Sequence, residues 1–183
     1  MRKVQRTDIV DYQTYDDTRQ AVRQAILEIK RPRRVHVGPY LTFLFENATT
    51  LRYQIQEIMR VERIVRETDI RREVETYNDL LGGTGELASC LLVEIDDRDE
   101  REKKLRAWRT LPSHIYIRTE AGLVRPTFDL TQVEEDRISA VQYLKWPLAG
   151  QAPLAVGSDH EALTAETVLD PAQRAALAAD LAD

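Results

Sequence analysis

The sequence holds a single cysteine, Cys90, so it can form no intramolecular disulfide and no thiolate-rich zinc cluster. It has no apolar run near the roughly 18 residues that a membrane-spanning helix needs. Its N-terminus, Met1 to Asp8, shows neither an apolar core nor a small-residue cleavage site, so it does not read as a secretory signal. These absences make the cytoplasm the expected location. Lysine is scarce: Lys3, Lys30, Lys103, Lys104 and Lys145 are the only ones, and the remaining positive charge is arginine. The formal net charge of -5 gives no global field that would draw in nucleic acid or an anionic membrane. Locally, Lys30, Arg31, Arg33 and Arg34 form a basic patch around Pro32. No fixed-period repeat and no glycine-, serine- or proline-rich linker divides the chain.

What remains is an ordinary globular composition, with 43% hydrophobic and 31% charged residues in 183. One domain over residues 1–183 is the expected organisation. Thr7 and Asp8 cap an opening turn. Asp16 or Asp17 starts a helix through Lys30, which Pro32 ends. Val35 to Val37 and Leu41 to Glu46 read as a hairpin about Gly38 and Pro39, the second strand apolar enough to be buried on both faces. Leu51, Ile55, Ile58, Met59 and Val65 recur at helical spacing and predict a helix over 50–68. Asp69 caps the next helix, which Gly82, Gly83 and Gly85 stop after Leu81.

Beyond Leu87 the pattern turns mostly to strands: 87–95, 114–119, 123–128, 140–148, 154–156 and 163–169. A charged helix over 99–110 and a short polar helix or loop over 129–137 lie between them. Asp170 followed by Pro171 signals a closing helix. The strands cluster in hairpins and do not alternate with long helices. The fold class predicted is therefore α+β, a mainly antiparallel sheet with helices packed on it.

Catalytic signatures are absent. Gly82-Gly83-Thr84-Gly85 lacks the lysine of a phosphate loop and leads into a strand. There is no Gly-x-Ser-x-Gly elbow, no Glu-x-x-His di-iron pattern and no His-Glu-x-x-His. Cys90, within the apolar run 88–95, reads as a small buried hydrophobe. Two segments carry polar groups that could form a site. On the helix over 50–68, Tyr53, Gln54, Glu57, Glu62 and Arg63 are interleaved with core positions, with Tyr77 and Asn78 available from the next helix. In the turn-rich segment after Gly157, Asp159 is placed to orient His160. The plainer alternatives are a solvated salt-bridge ladder on the helix and a capped turn at Asp159-His160. No metal site and no cofactor is expected in this chain.

Several of these segments resemble a bacterial family called domain of unknown function 3501. They are Arg34-Val-His-Val-Gly38, Leu41 to Glu46, Tyr53 to Arg63, Tyr77-Asn78, Val93-Glu-Ile95, Ser139 to Leu144, Gly157 to His160 and Leu169 to Leu181. The helix beginning Tyr53-Gln-Ile-Gln-Glu57 is the most specific of them. The resemblance implies an accessory role beside rubrerythrin-like or cysteine-rich iron–sulfur redox proteins, with any metal held by that partner. The chain departs from the family pattern at Gln142, where histidine is common, and at Glu161 and Ala162, where proline and tyrosine are. Those departures weaken any metal site there.

Two functional readings follow. One is an accessory or interaction protein serving a redox system. The other is a small enzyme or ligand-binding domain, in which the helix residues and the Asp159-His160 pair share one pocket.

Overall fold

The computed structural model describes residues 1–129 and 136–183, so most of the polar segment expected over 129–137 lies outside the described residues. After a 3-10 turn at Arg6–Asp8, the elements run α1 (Tyr12–Lys30), β1 (Arg34–Val37), β2 (Leu41–Glu46), α2 (Ala48–Glu62), α3 (Glu67–Asn78) and β3 (Leu87–Val93). They continue with α4 (Arg98–Ala107), α5 (Leu111–His114), β4 (Ile115–Thr119), β5 (Gly122–Val124), β6 (Thr127–Phe128), β7 (Val141–Trp146), β8 (Ala155–His160), β9 (Leu163–Val168) and α6 (Pro171–Ala182). The strands form two antiparallel sheets, ordered β1-β2-β3-β7-β6 and β5-β4-β8-β9. The fold is α+β, as the hairpin pattern predicts.

One face of each sheet turns inward on a shared core. Phe43, Leu91 and Trp146 of the first sheet meet Ile117 and Val156 of the second, all with no exposed surface. The Trp146 indole packs tilted against Phe43, with ring centres 6.1 Å apart, and its N–H donates to the Ser89 hydroxyl at 2.9 Å. Because side chains alternate across a strand, Leu44, Glu46, Ala88, Cys90 and Tyr143 project from the opposite face of the first sheet. That outer face lies beneath α1 and α2. A second apolar cluster, including Leu51, Ile55 and Met59 of α2 and Ile70 and Val74 of α3, holds the helices together.

The element boundaries depart from expectation where a local hydrogen bond outranks periodicity. Helix α1 begins at Tyr12 because the Asp11 carboxylate caps the amides of Gln13 and Thr14. Helix α2 stops at Glu62, short of 68, because Arg63 adopts the left-handed conformation (φ 52°) and closes the last turn. The stretch 123–128 is two strands. Pro126, with no N–H to donate, breaks the ladder, and β5 stays with β4 while β6 crosses to β7. Residues 155–160, expected as a short strand and a turn, are one continuous strand, paired with β9 along its length and with β4 over residues 155–158.

Polar clamps fix the helices over the sheet. The buried Tyr15 hydroxyl donates to Glu57 at 2.6 Å, and Arg19 grips the same carboxylate through two bonds of 2.8 and 2.9 Å. Arg33 binds Asp180 bidentately at 2.7 and 2.9 Å, and Asn47 at the start of α2 donates to the same carboxylate. The basic patch is thus partly consumed in joining α6 to the end of α1.

The Tyr15→Phe variant removes one charge-assisted bond without opening a cavity. It is expected to lower unfolding free energy by about 1.5 kcal/mol in urea titrations.

Candidate functional site

Strand β2 ends in Glu46, and its parity sends that carboxylate to the outer face with Leu44, away from Phe43 and Phe45. In the ladder Leu44 stands opposite Cys90, Cys90 opposite Tyr143, and Glu46 opposite Ala88. A row of Leu44, Cys90 and Tyr143 therefore crosses three strands, with Glu46 as Cys90's diagonal neighbour. Helix α2 starts two residues after Glu46 and brings Gln54 back over it. The C-terminal end of α1 contributes Lys30, whose ammonium lies 5.3 Å from the centre of the Tyr53 ring.

These groups enclose a recess of about 230 Å³ lined by Lys30, Leu44, Glu46, Gln54, Cys90 and Tyr143, among others. A neighbouring cavity of about 380 Å³ shares Lys30, Leu44 and Glu46 and adds Arg31 and Arg34. On the far side a shallower basin of about 390 Å³ shares Leu80 and Tyr143.

Glu46 is the chemical centre of this recess. It is 8% exposed. Its Oε1 accepts from the Gln54 amide at 2.6 Å, whereas its buried Oε2 has no hydrogen-bond partner. The Thr50 hydroxyl stands close to the carboxyl while it bonds the Asn47 carbonyl at 3.1 Å in the cap of α2. Burial pushes the Glu46 carboxyl above the ordinary glutamate value of 4.5, outweighing the opposing charge of Lys30, the contacts from Thr50 and Gln54, and the charge of Arg33. A buried carboxyl with one idle oxygen is a standing cost that a suitable ligand group removes.

Cys90 is half-buried, not fully enclosed as expected. Leu91 next to it takes the core position while the thiol lines the recess. Burial and the neighbouring Glu46 push its pKa up to about 11, so it is protonated and weakly nucleophilic at neutral pH. The Tyr143 hydroxyl is pushed up by burial, Cys90 and Glu46.

The structure distributes the sequence-predicted residues over several places. Gln54 lines the recess, whereas Tyr53 lines a separate cavity with Tyr15, Val22 and Gln56 and touches the recess only through its contact with Lys30. Glu57 is the clamp for Tyr15 and Arg19, and the Arg19 guanidinium holds its carboxyl below the ordinary value. Glu62 and Arg63 are exposed at the end of α2, so Glu62 does not share the buried stripe expected for it. Asn78 is a structural pin. Its buried amide accepts from the Val4 N–H at 2.9 Å and donates to the Val4 carbonyl at 2.8 Å, as Gln56 does for Val10. Tyr77 packs at the margin of the helical cluster.

Asp159 and His160 sit on β8 in the second sheet, and neither lines the recess that holds Gln54. Asp159 pairs with His114 at 3.0 Å and with Arg125. His160, 5% exposed, accepts the Ala162 N–H at Nδ1 and meets the Thr110 hydroxyl through Nε2. The expected orientation of His160 by Asp159 is replaced by strand alternation, which leaves one exposed and the other buried. Among the described residues no group of three His, Cys, Asp or Glu side chains is gathered to hold a metal ion, and no helix is long and apolar enough to cross a membrane.

The arrangement defines an α+β protein of two antiparallel sheets, with a polar recess between its first sheet and two helices. The chain belongs to the family described as protein of unknown function (DUF3501), whose model matches residues 3–181. It is also similar to the crystal structure of a novel protein of unknown function from Burkholderia pseudomallei. That match has a TM-score of 0.89 and 26% identity, and covers 98% of this chain and 100% of the other. No curated protein matches it.

A raised carboxyl pKa in the folded state makes stability fall as pH rises from the unfolded value through the folded one. The stability of the natural protein relative to Glu46→Gln is therefore expected to decline above about pH 4.5. Urea titrations at a series of pH values check this; a flat difference contradicts the burial of an ionisable Glu46.

Proposed function

We propose that this protein is a ligand-binding domain whose site is the recess around Glu46. The observation that carries the reading is the Glu46 Oε2 atom, buried without a hydrogen-bond partner in a residue that lines the recess. Natural interiors pair almost all such atoms, and exceptions gather at functional sites. Gln54 fixes the carboxyl so that its free oxygen is preorganised. The volume of about 230 Å³ is below that of drug-sized pockets, roughly 300–1,000 Å³, and fits a metabolite-sized molecule. The high Cys90 pKa argues for binding over thiol chemistry.

The accessory role implied by the family resemblance is a second reading, in which the domain attends a rubrerythrin-like or iron–sulfur redox partner that holds the metal. Exposed apolar groups support it: Tyr143 on the recess wall is 45% exposed, Leu27 in the neighbouring cavity 54%, and Val141, two residues from Tyr143 on β7, 38%. A partner seated there would cover the recess and sense its occupancy. Co-purification of the full chain with such a partner, lost on Tyr143→Glu, is the expected sign of this role.

The ligand reading is tested by thermal unfolding of the natural protein and Glu46→Gln against a library of small metabolites. At a hundredfold excess over Kd, a ligand adds about 2.7 kcal/mol, or roughly 5–10 °C in Tm for a chain of this size. The expected result is at least one compound that stabilises the natural protein by that amount and leaves the variant unmoved. A library that fails to distinguish the two proteins contradicts the reading.

A further inference from the structure

The charges around the recess narrow the ligand class. Glu46, Lys30 and Leu44 line both the recess and the neighbouring cavity. Two cations stand near the carboxyl, Lys30 in both cavities and Arg34 in the neighbouring one. Neither makes an ion pair among the described residues, although acidic side chains pair with Arg31 and Arg33 close by. Apart from Lys30, Glu46, Gln54 and Ser89, the recess wall is apolar or weakly polar, with Leu44, Leu51, Leu80 and the Cys90–Tyr143 pair. Cations without ion-pair partners, a buried carboxyl and an apolar wall thus meet across these two adjoining cavities.

Simple ligands match only part of this arrangement. An amine alone would satisfy Glu46 but sit beside the Lys30 ammonium with nothing to offset it. A carboxylic acid alone would satisfy Lys30 and Arg34 but leave Glu46 Oε2 idle or repelled. A neutral apolar molecule would fill the recess and leave both charged groups unanswered. A molecule with a carboxylate and an ammonium on adjacent atoms, and an apolar arm from the same centre, meets all three conditions together.

We propose that the recess binds a free α-amino acid with a large apolar side chain, of leucine or phenylalanine size. This proposal rests on the ligand-binding reading given above and names its ligand class. The ammonium donates to Glu46 Oε2, the carboxylate faces Lys30 and Arg34, and the side chain lies over Leu44, Cys90 and Tyr143. Binding draws Glu46 into its ionised form, because the ammonium offsets the burial that otherwise favours the acid.

The test is isothermal titration calorimetry of the full chain with L-phenylalanine and L-leucine, beside 3-phenylpropanoate, which lacks the amine, and 2-phenylethylamine, which lacks the carboxylate. The natural protein is expected to bind the amino acids at least tenfold more tightly than either analogue. Glu46→Gln is expected to lose at least tenfold for L-phenylalanine while its affinity for 3-phenylpropanoate, relieved of the facing carboxylate, does not fall. The analogue comparison needs no variant, so a folding defect cannot mask the answer.

Equal binding of 3-phenylpropanoate and L-phenylalanine overturns the proposal, as does undiminished L-phenylalanine binding by a folded Glu46→Gln. Absence of amino-acid binding at millimolar concentration overturns it too. If amino acids fail while another metabolite stabilises the natural protein and not Glu46→Gln, this assignment falls and the ligand-binding reading stands. If no compound does so, both fall.

Discussion

Glu46 occupies the hinge between strand and helix, and its burial sets the terms for the structure around it. A carboxyl placed at the end of an otherwise apolar strand must find partners or lose its charge. Gln54 supplies one bond because α2 begins immediately beyond β2 and its second turn passes over the strand it has just left. Lys30 comes near because the Tyr15–Arg19–Glu57 clamp presses α1 against α2. Asp180 grips Arg33 and Asn47, so the closing helix holds the end of α1 and the start of α2 in the same place. The recess is thus the space left when three helices and one sheet are tied by charged bonds that stop short of filling the gap.

That arrangement explains the burial of the two residues beside Glu46. Cys90 is kept as a thiol by the same low-dielectric surroundings that raise the Glu46 carboxyl, and the charge of Glu46 raises the thiol further. Tyr143 stands opposite Cys90 and is half-open to solvent, which makes it both a wall of the recess and part of the exposed apolar rim. A ligand inside and a partner outside would meet on this one side chain.

Much of the fold can be read from residues that act locally. Asn47, and Asp170 with Pro171, announce their helices because capping needs only neighbours in sequence. The hairpin at Gly38 and the antiparallel pairing follow from strand length and turn chemistry. The failures occur where a distant or atypical group decides. Arg63 ends α2 in a conformation more usual for glycine, so the helix looks longer than it is. The interleaved residues of α2 suggest a single site, yet Glu57 is committed to α1, Glu62 and Arg63 to solvent, and Asn78 to the N-terminal segment. Asp159 and His160 are adjacent in sequence and serve different faces of a strand.

Glu46 itself carried a signal that helical patterns obscure: a lone acid in an apolar strand, in phase with Leu44. Its importance depends on β3, β7 and α1, which local spacing does not bring together. A crystal structure of the protein purified without denaturant tests this account most directly. The account predicts non-protein density, from water or a bound molecule, within about 3.2 Å of Glu46 Oε2 in an open recess. A carboxyl whose two oxygens are both bonded to protein donors, in a recess filled by side chains, would contradict it.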